Sequence, residues 1–90
     1  MRPGSPSTFC QGKDPKRIFG ENLRRFRKAR GLSQEKLGEY AHLHRTYVGA
    51  VERGERNISL ENITRLACAL KITAGQLLQG TSQEDGNCSK

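Results

Sequence analysis

Apolar residues recur along this chain at helical intervals, and no stretch alternates as a strand would. Phe19, Leu23 and Phe26 fall at i, i+4 and i+7, the spacing of one helix face. Asp14-Pro15 ahead of them is a start signal, an N-cap acid followed by proline at the position where its missing amide is harmless. With Gly31 as the stop, the spacing predicts a helix from Pro15 to about Arg30. From Ser33 to Gly54 the pattern changes to two short helices joined by a tight turn. Ser33 is a good N-cap, and Gln34 and Glu35 suit the first turn. Leu37 and Gly38 fall mid-way along the first of these helices and Val48 and Val51 on the inner face of the second, which Gly54 ends. The chain must turn sharply around Ala41-His42-Leu43, and a small inward residue at Gly38 lets the two helices approach closely.

Ser59 caps a fourth helix whose Leu60, Ile63, Ala67 and Leu70 make a further apolar stripe, and Thr73 with Gln76 is a capping box for a short fifth helix carrying Leu77 and Leu78. Five helices without a strand pattern predict an all-α domain over residues 14–79. Residues 1–13, rich in Pro, Gly, Ser and Thr, read as a disordered tail, and residues 80–90 as a flexible one.

Ninety residues suffice for one small domain and one modest core. The net charge of +7 and a pI near 9.8 imply an acidic partner, either nucleic acid or an anionic membrane face. Most of the basic residues lie between Lys13 and Arg56, which points to a phosphate-facing half. No apolar run is long enough to span a membrane, and the N-terminus lacks the apolar core of a signal peptide. Cys10, Cys68 and Cys88 are odd in number and lack CxxC spacing, which argues against a disulfide framework and a zinc site and for a reducing cytoplasm. Cys68, inside a helical pattern, reads as a small packed hydrophobe. His42 and His44 are two apart, so they do not share a helix face, and neither a metal nor a cofactor is expected. Nor is an enzyme: there is no Ser, Cys or His constellation with a partner base and no paired carboxylates in a pocket.

The unit Ser33 to Gly54 is a helix-turn-helix, and it resembles that of the lambdoid repressor and Cro (XRE-like) family, with Gln34, Leu37, Gly38, Val48, Val51, Glu52 and Gly54 at the characteristic positions. The longer run from His44 to Ile63 is similar to the controller proteins of bacterial restriction-modification systems. At the turn this chain carries His42 where the family usually has glycine, because the backbone there tends to positive φ. Histidine tolerates that region.

The resemblance implies a lambda-repressor-like fold and a sequence-specific regulator bound as a homodimer to a symmetric double-stranded DNA operator, with RNA polymerase as a further candidate partner. A recognition helix entering the major groove meets base edges with Arg45, Thr46, Gly49 and Ala50, and Arg45 is suited to guanine O6 and N7. The small Gly49 and Ala50 are expected to let backbone approach the groove floor. Gln34, Tyr47, Arg53, Arg56 and Asn57 are expected at the DNA backbone, with Tyr47 alternatively packing and Arg53 alternatively neutralising Glu55. Within the family the positions of Arg27 and Glu52 form a buried ion pair that fixes how the recognition helix is presented. Dimerisation falls to the apolar residues of the last two helices, Leu70, Ile72, Leu77 and Leu78, taken as exposed. A controller, a phage repressor and an autoregulating antitoxin remain open within this class, as does a protein-interaction module that has lost DNA binding.

Overall fold

Each helix of the domain starts where a side chain supplies the acceptor that an orphan amide needs. The computed structural model describes residues 14–81, which form α1 (Pro15–Ala29), α2 (Gln34–Ala41), α3 (Arg45–Glu52), α4 (Leu60–Leu70) and α5 (Ala74–Leu77). The side chains of Asp14, Ser33, Ser59 and Thr73 accept from the backbone N–H of Lys16, Lys36, Asn62 and Gln76 respectively. The Thr73 box is complete, since the Thr73 N–H also donates to Gln76 Oε1 at 2.9 Å. The cap of α3 is a histidine, whose ring Nδ1 accepts from the Thr46 N–H at 3.1 Å.

The turn after α2 places His42 at φ 61°, the left-handed region expected of that position. For a side chain other than glycine this costs on the order of 1 kcal/mol. The cost is tolerable because Gly38, one turn back, lets α2 and α3 close up: a Cβ there would strike the Leu43 carbonyl oxygen. Gly20 does the same between α1 and α3, where a Cβ would lie 2.5 Å from the carbonyl oxygens of Val51 and Glu52.

The core draws on every helix. Phe19 and Leu23 of α1, Leu37 and Ala41 of α2, Val48 and Val51 of α3, Ile63, Leu66, Ala67 and Leu70 of α4 and Leu77 of α5 are all buried. At about 1.5–3 kcal/mol for each fully buried large aliphatic side chain, this cluster is the main stabilising term. Phe26 packs against its edge. A buried polar contact joins the two ends of the domain: Asn22 Nδ2 donates to the Leu77 and Gln79 carbonyls at 2.9 and 2.8 Å.

Three expectations are corrected. Leu70 and Leu77 are 0% exposed, because α5 folds back across α1 and α4 and plugs the core with Leu77; neither offers a surface to a partner. Leu60 is 76% exposed at the first turn of α4, and Leu66 takes its place in the stripe, so the inward positions are 63, 66, 67 and 70. Cys68, one step of about 100° beyond Ala67, turns out of that stripe and is exposed. The expected tails, residues 1–13 and the chain after Thr81, lie outside the described residues.

Candidate nucleic-acid interface

The first turn of α3 is exposed, and its far end is anchored by a largely buried polar cluster. Arg27, reaching from α1, donates from Nε to Glu52 Oε2 at 2.6 Å and from Nη2 to Glu52 Oε1 at 3.1 Å. Their side chains are only 10% and 4% exposed, so this bidentate pair sits in a low-dielectric setting where both charges need all their partners. Arg27 Nη1 has one in the Leu32 carbonyl at 2.7 Å, and Glu52 Oε1 has another in Gln34 Nε2 at 3.0 Å. One carboxylate thus ties α1, the loop after it, the first residue of α2 and the end of α3.

Gln34 is therefore tethered, and its position at the N-terminus of α2 sets it beside free backbone amides. Gly49 departs from the expectation of bare backbone facing the groove. It is buried, and a Cβ on it would lie 3.3 Å from both Gln34 Oε1 and Arg53 Nη1. Its lack of a side chain makes room for those two polar groups to cross over α3. Ala50 is half-buried, whereas Arg45 and Thr46 are exposed at the first turn. Among the described residues the Arg45 side chain makes no hydrogen bond or ion pair, so its guanidinium is open to a partner outside the chain.

A second group flanks the far side of α3. The Tyr47 hydroxyl accepts from Asn62 Nδ2 at 3.1 Å, which leaves its own proton available to donate outward. The Arg56 guanidinium lies over the Tyr47 ring, 5.3 Å from the centroid, a cation–π contact that shapes the loop holding Arg56 and Asn57, both exposed. Arg53 donates from Nε to Glu55 Oε2 at 3.0 Å, and this hydrogen bond with the attached charge raises its pKa above the ordinary arginine value. Of the two expected uses of Arg53, neutralising Glu55 is the one occupied.

A helix-turn-helix family profile matches residues 23–77, the span that carries this whole arrangement. The chain belongs to the helix-turn-helix family of DNA-binding regulators. It is 48% identical over 75 residues to the control protein C.SmaI of Serratia marcescens, covering 81% of this chain and 89% of that one. The crystal structure of the restriction-modification controller protein C.AhdI from Aeromonas hydrophila superposes with a TM-score of 0.68 at 53% identity, over 69% of this chain and 94% of that one. The P22 c2 repressor, solved in complex with a synthetic operator, matches with a TM-score of 0.65 at 31% identity, over 69% and 94% of the two chains. The five-helix all-α domain expected from the residues and the lambda-repressor-like fold implied by the resemblance stand, as does the kinship with controller proteins.

Within this helix-turn-helix domain two residues of the candidate interface escape a reading of spacing alone. His44 caps α3, and Asn62 donates to the Tyr47 hydroxyl from the first turn of α4. A polar residue just before the outward-facing start of α3 is a signal for the first. Nothing in the sequence pairs Asn62 with Tyr47, since the two meet only through the angle between α3 and α4. No helix among the described residues is long and apolar enough to cross a membrane, and none of them form a cluster of His, Cys, Asp or Glu suited to a metal.

Proposed function

We propose that this regulator reads a two-fold symmetric operator as a homodimer, in the manner of a restriction-modification controller, and that it is not an enzyme. The observation that carries the reading is the exposed N-terminal turn of α3, with Arg45 and Thr46 turned outward, on a helix whose other end is anchored through Glu52 to the buried Arg27 and the half-buried Gln34. That arrangement suits a helix docked end-first into the major groove. Arg45 takes guanine O6 and N7, and Thr46 with the Ala50 methyl meets the neighbouring base edges. Gln34, the Tyr47 hydroxyl, Arg56 and Asn57 bind phosphate on either side, with Arg53 as a weaker contributor because Glu55 holds it. The net charge of +7 draws the polyanion in and makes the affinity fall with salt.

One such turn covers too few base pairs for useful discrimination, so a second copy supplies the other half-site. With Leu70 and Leu77 buried, the apolar residues left for the dimer contact are Leu60 (76% exposed), Leu78 (38% exposed) and the half-buried Ile72. Its place of work is the cytoplasm, with the DNA, and contact with RNA polymerase belongs to the same reading.

The test is selection from a pool of random duplex DNA. The expected product is an inverted repeat whose half-site centres lie about 34 Å apart, one turn of B-DNA. A protein-interaction module on this fold would enrich no motif, and that result overturns the proposal.

A further inference from the structure

The cap of α3 does more than end-stop the helix. His44 Nδ1 accepts the Thr46 backbone N–H at 3.1 Å, so the nitrogen presents its lone pair there and the ring proton resides on Nε2. The Thr46 hydroxyl oxygen is also in direct contact with that same Nδ1. In this tautomer Nδ1 has no hydrogen to give, so the hydroxyl is the donor and shares the one ring lone pair with the Thr46 N–H. A threonine hydroxyl has one hydrogen, and here it is spent inward. What Thr46 Oγ1 offers outward is lone pairs only.

We propose that His44 is a specificity-positioning residue: by fixing the direction of the Thr46 hydroxyl proton it makes Thr46 a pure acceptor, which selects a base carrying an exocyclic amino group. In the major groove those donors are adenine N6 and cytosine N4, while guanine O6 and thymine O4 are acceptors that an acceptor-only oxygen repels. A free threonine rotor serves either kind and discriminates poorly. The inference rests on the assignment of α3 as the reading helix and deepens it at one residue. It also separates two arms of the same turn. Arg45 is a donor-only group aimed at keto oxygens, and its neighbour Thr46 becomes the complementary acceptor.

The experiment compares four forms of the full chain in selection from random duplex DNA, followed by binding to the winning operator and to the operator with the Thr46-read base pair reversed. These are the wild type, His44→Ala, His44→Asp and Thr46→Val. Thr46→Val keeps the shape and the backbone cap but has no hydroxyl, so it locates the base pair in question. At that position the wild type is expected to prefer one orientation of the base pair over the reversed one by about three- to tenfold, the range of one hydrogen bond gained or lost. His44→Ala should erase the preference there and leave the Arg45-read guanine untouched. His44→Asp should restore it, because a carboxylate accepts from the same N–H and O–H. His44→Ala in the Thr46→Val background should change nothing further at that base pair. This double variant also answers for a weakened helix start, which would lower affinity on every sequence alike.

The inference is overturned if His44→Ala keeps the preference, if His44→Asp fails to restore it, or if replacing the amino-bearing base of that pair by its analogue without the exocyclic amino group costs the wild type nothing. It is also overturned, with α3 reading intact, if Thr46→Val flattens no position while Arg45→Ala flattens one. Selection by the wild type of no motif at all overturns the reading of α3 itself.

Discussion

Replacing Glu52 by alanine removes, in one step, the acceptors of three donors. Arg27 Nε and Nη2 lose oxygens at 2.6 and 3.1 Å, and Gln34 Nε2 loses one at 3.0 Å. The guanidinium keeps only the Leu32 carbonyl at 2.7 Å while its side chain stays 10% exposed. Removing one partner of a buried ion pair costs about 3–5 kcal/mol, and the retained carbonyl places this case near the lower end, about 3 kcal/mol. For a domain of this size each kcal/mol moves the melting temperature by about 4–8 °C, so a fall of roughly 12–24 °C is expected. Urea unfolding followed by far-UV circular dichroism measures the loss at constant temperature, with the slope checked for two-state behaviour. A loss below about 1 kcal/mol, the worth of an exposed pair, would refute the claim that this pair is buried and structural. The double variant Arg27→Met, Glu52→Leu separates stability from presentation. With both charges replaced by apolar groups, most of the stability should return, as for other buried pairs. Operator affinity should not, because Gln34 has lost the carboxylate that orients it.

Arg45→Ala should cost about 1–3 kcal/mol on the operator and relax the preference at one base pair per half-site, whereas Arg56→Ala should weaken all sequences alike and reduce the salt slope by about one unit. Competition with random DNA over a salt series checks both, and the opposite assignment of effects would move the reading surface to the loop. Leu60→Asp should shift the sedimenting mass toward monomer and remove the concentration dependence of the melting temperature, while the monomer fold is kept, since the site is exposed and an acid suits the first turn of α4. An unchanged dimer would remove Leu60 from the interface. Gly20→Ala, which drives a Cβ to 2.5 Å from two carbonyl oxygens, should cost about 1–3 kcal/mol through displacement of α1 from α3, measurable in the same urea experiment. The Asp14 pKa is lowered, chiefly by the hydrogen bond from the Lys16 backbone N–H. A carboxyl depressed on folding stabilises above its unfolded pKa of about 3.9 and loses that contribution as pH falls through the lower folded value. Asp14→Asn should therefore flatten that part of an acid unfolding curve while keeping α1 capped.

The features legible in the sequence are those decided within one turn of chain. Asp14, Ser33, Ser59 and Thr73 cap helices because their acceptors need only reach two or three residues, and Gly31 and Gly54 end them by adopting positive φ. His42 was legible for the same reason. The positions that misled are those settled by which element covers a helix face. Leu60, Ile63, Ala67 and Leu70 share a spacing consistent with one stripe, yet the stripe that meets α2 and α5 runs through Leu66 and leaves Leu60 in solvent. Leu70 and Leu77 look available until α5, only four residues long, folds over the core. At the interface, Arg27 with Glu52 was legible through resemblance and inner-face spacing. Gly49 beneath Gln34 and Arg53 was not, because side chains arriving from two helices decide what lies over a glycine.

The Asn22 contact and the packing of Gly80 have a topological consequence. A Cβ on Gly80 would lie 3.5 Å from Ile18 Cγ2, and Pro15, Lys16 and Thr81 line one cleft of about 240 Å³ together with Arg56 and Asn57. The start of α1 and the last described residue therefore border one cleft, and the domain is in effect a ring with one cut in it. A short linker from Thr81 to Asp14 closes that ring, and a new cut at exposed Gly31, where a Cβ would meet nothing within 4 Å, opens it between α1 and α2. The rearranged chain runs α2, α3, α4, α5, α1 and retains every buried contact described above, Arg27 to Glu52 included. Bulky groups attached at Lys16 or Thr81, by contrast, would crowd the same cleft and the Arg56–Asn57 loop that borders it.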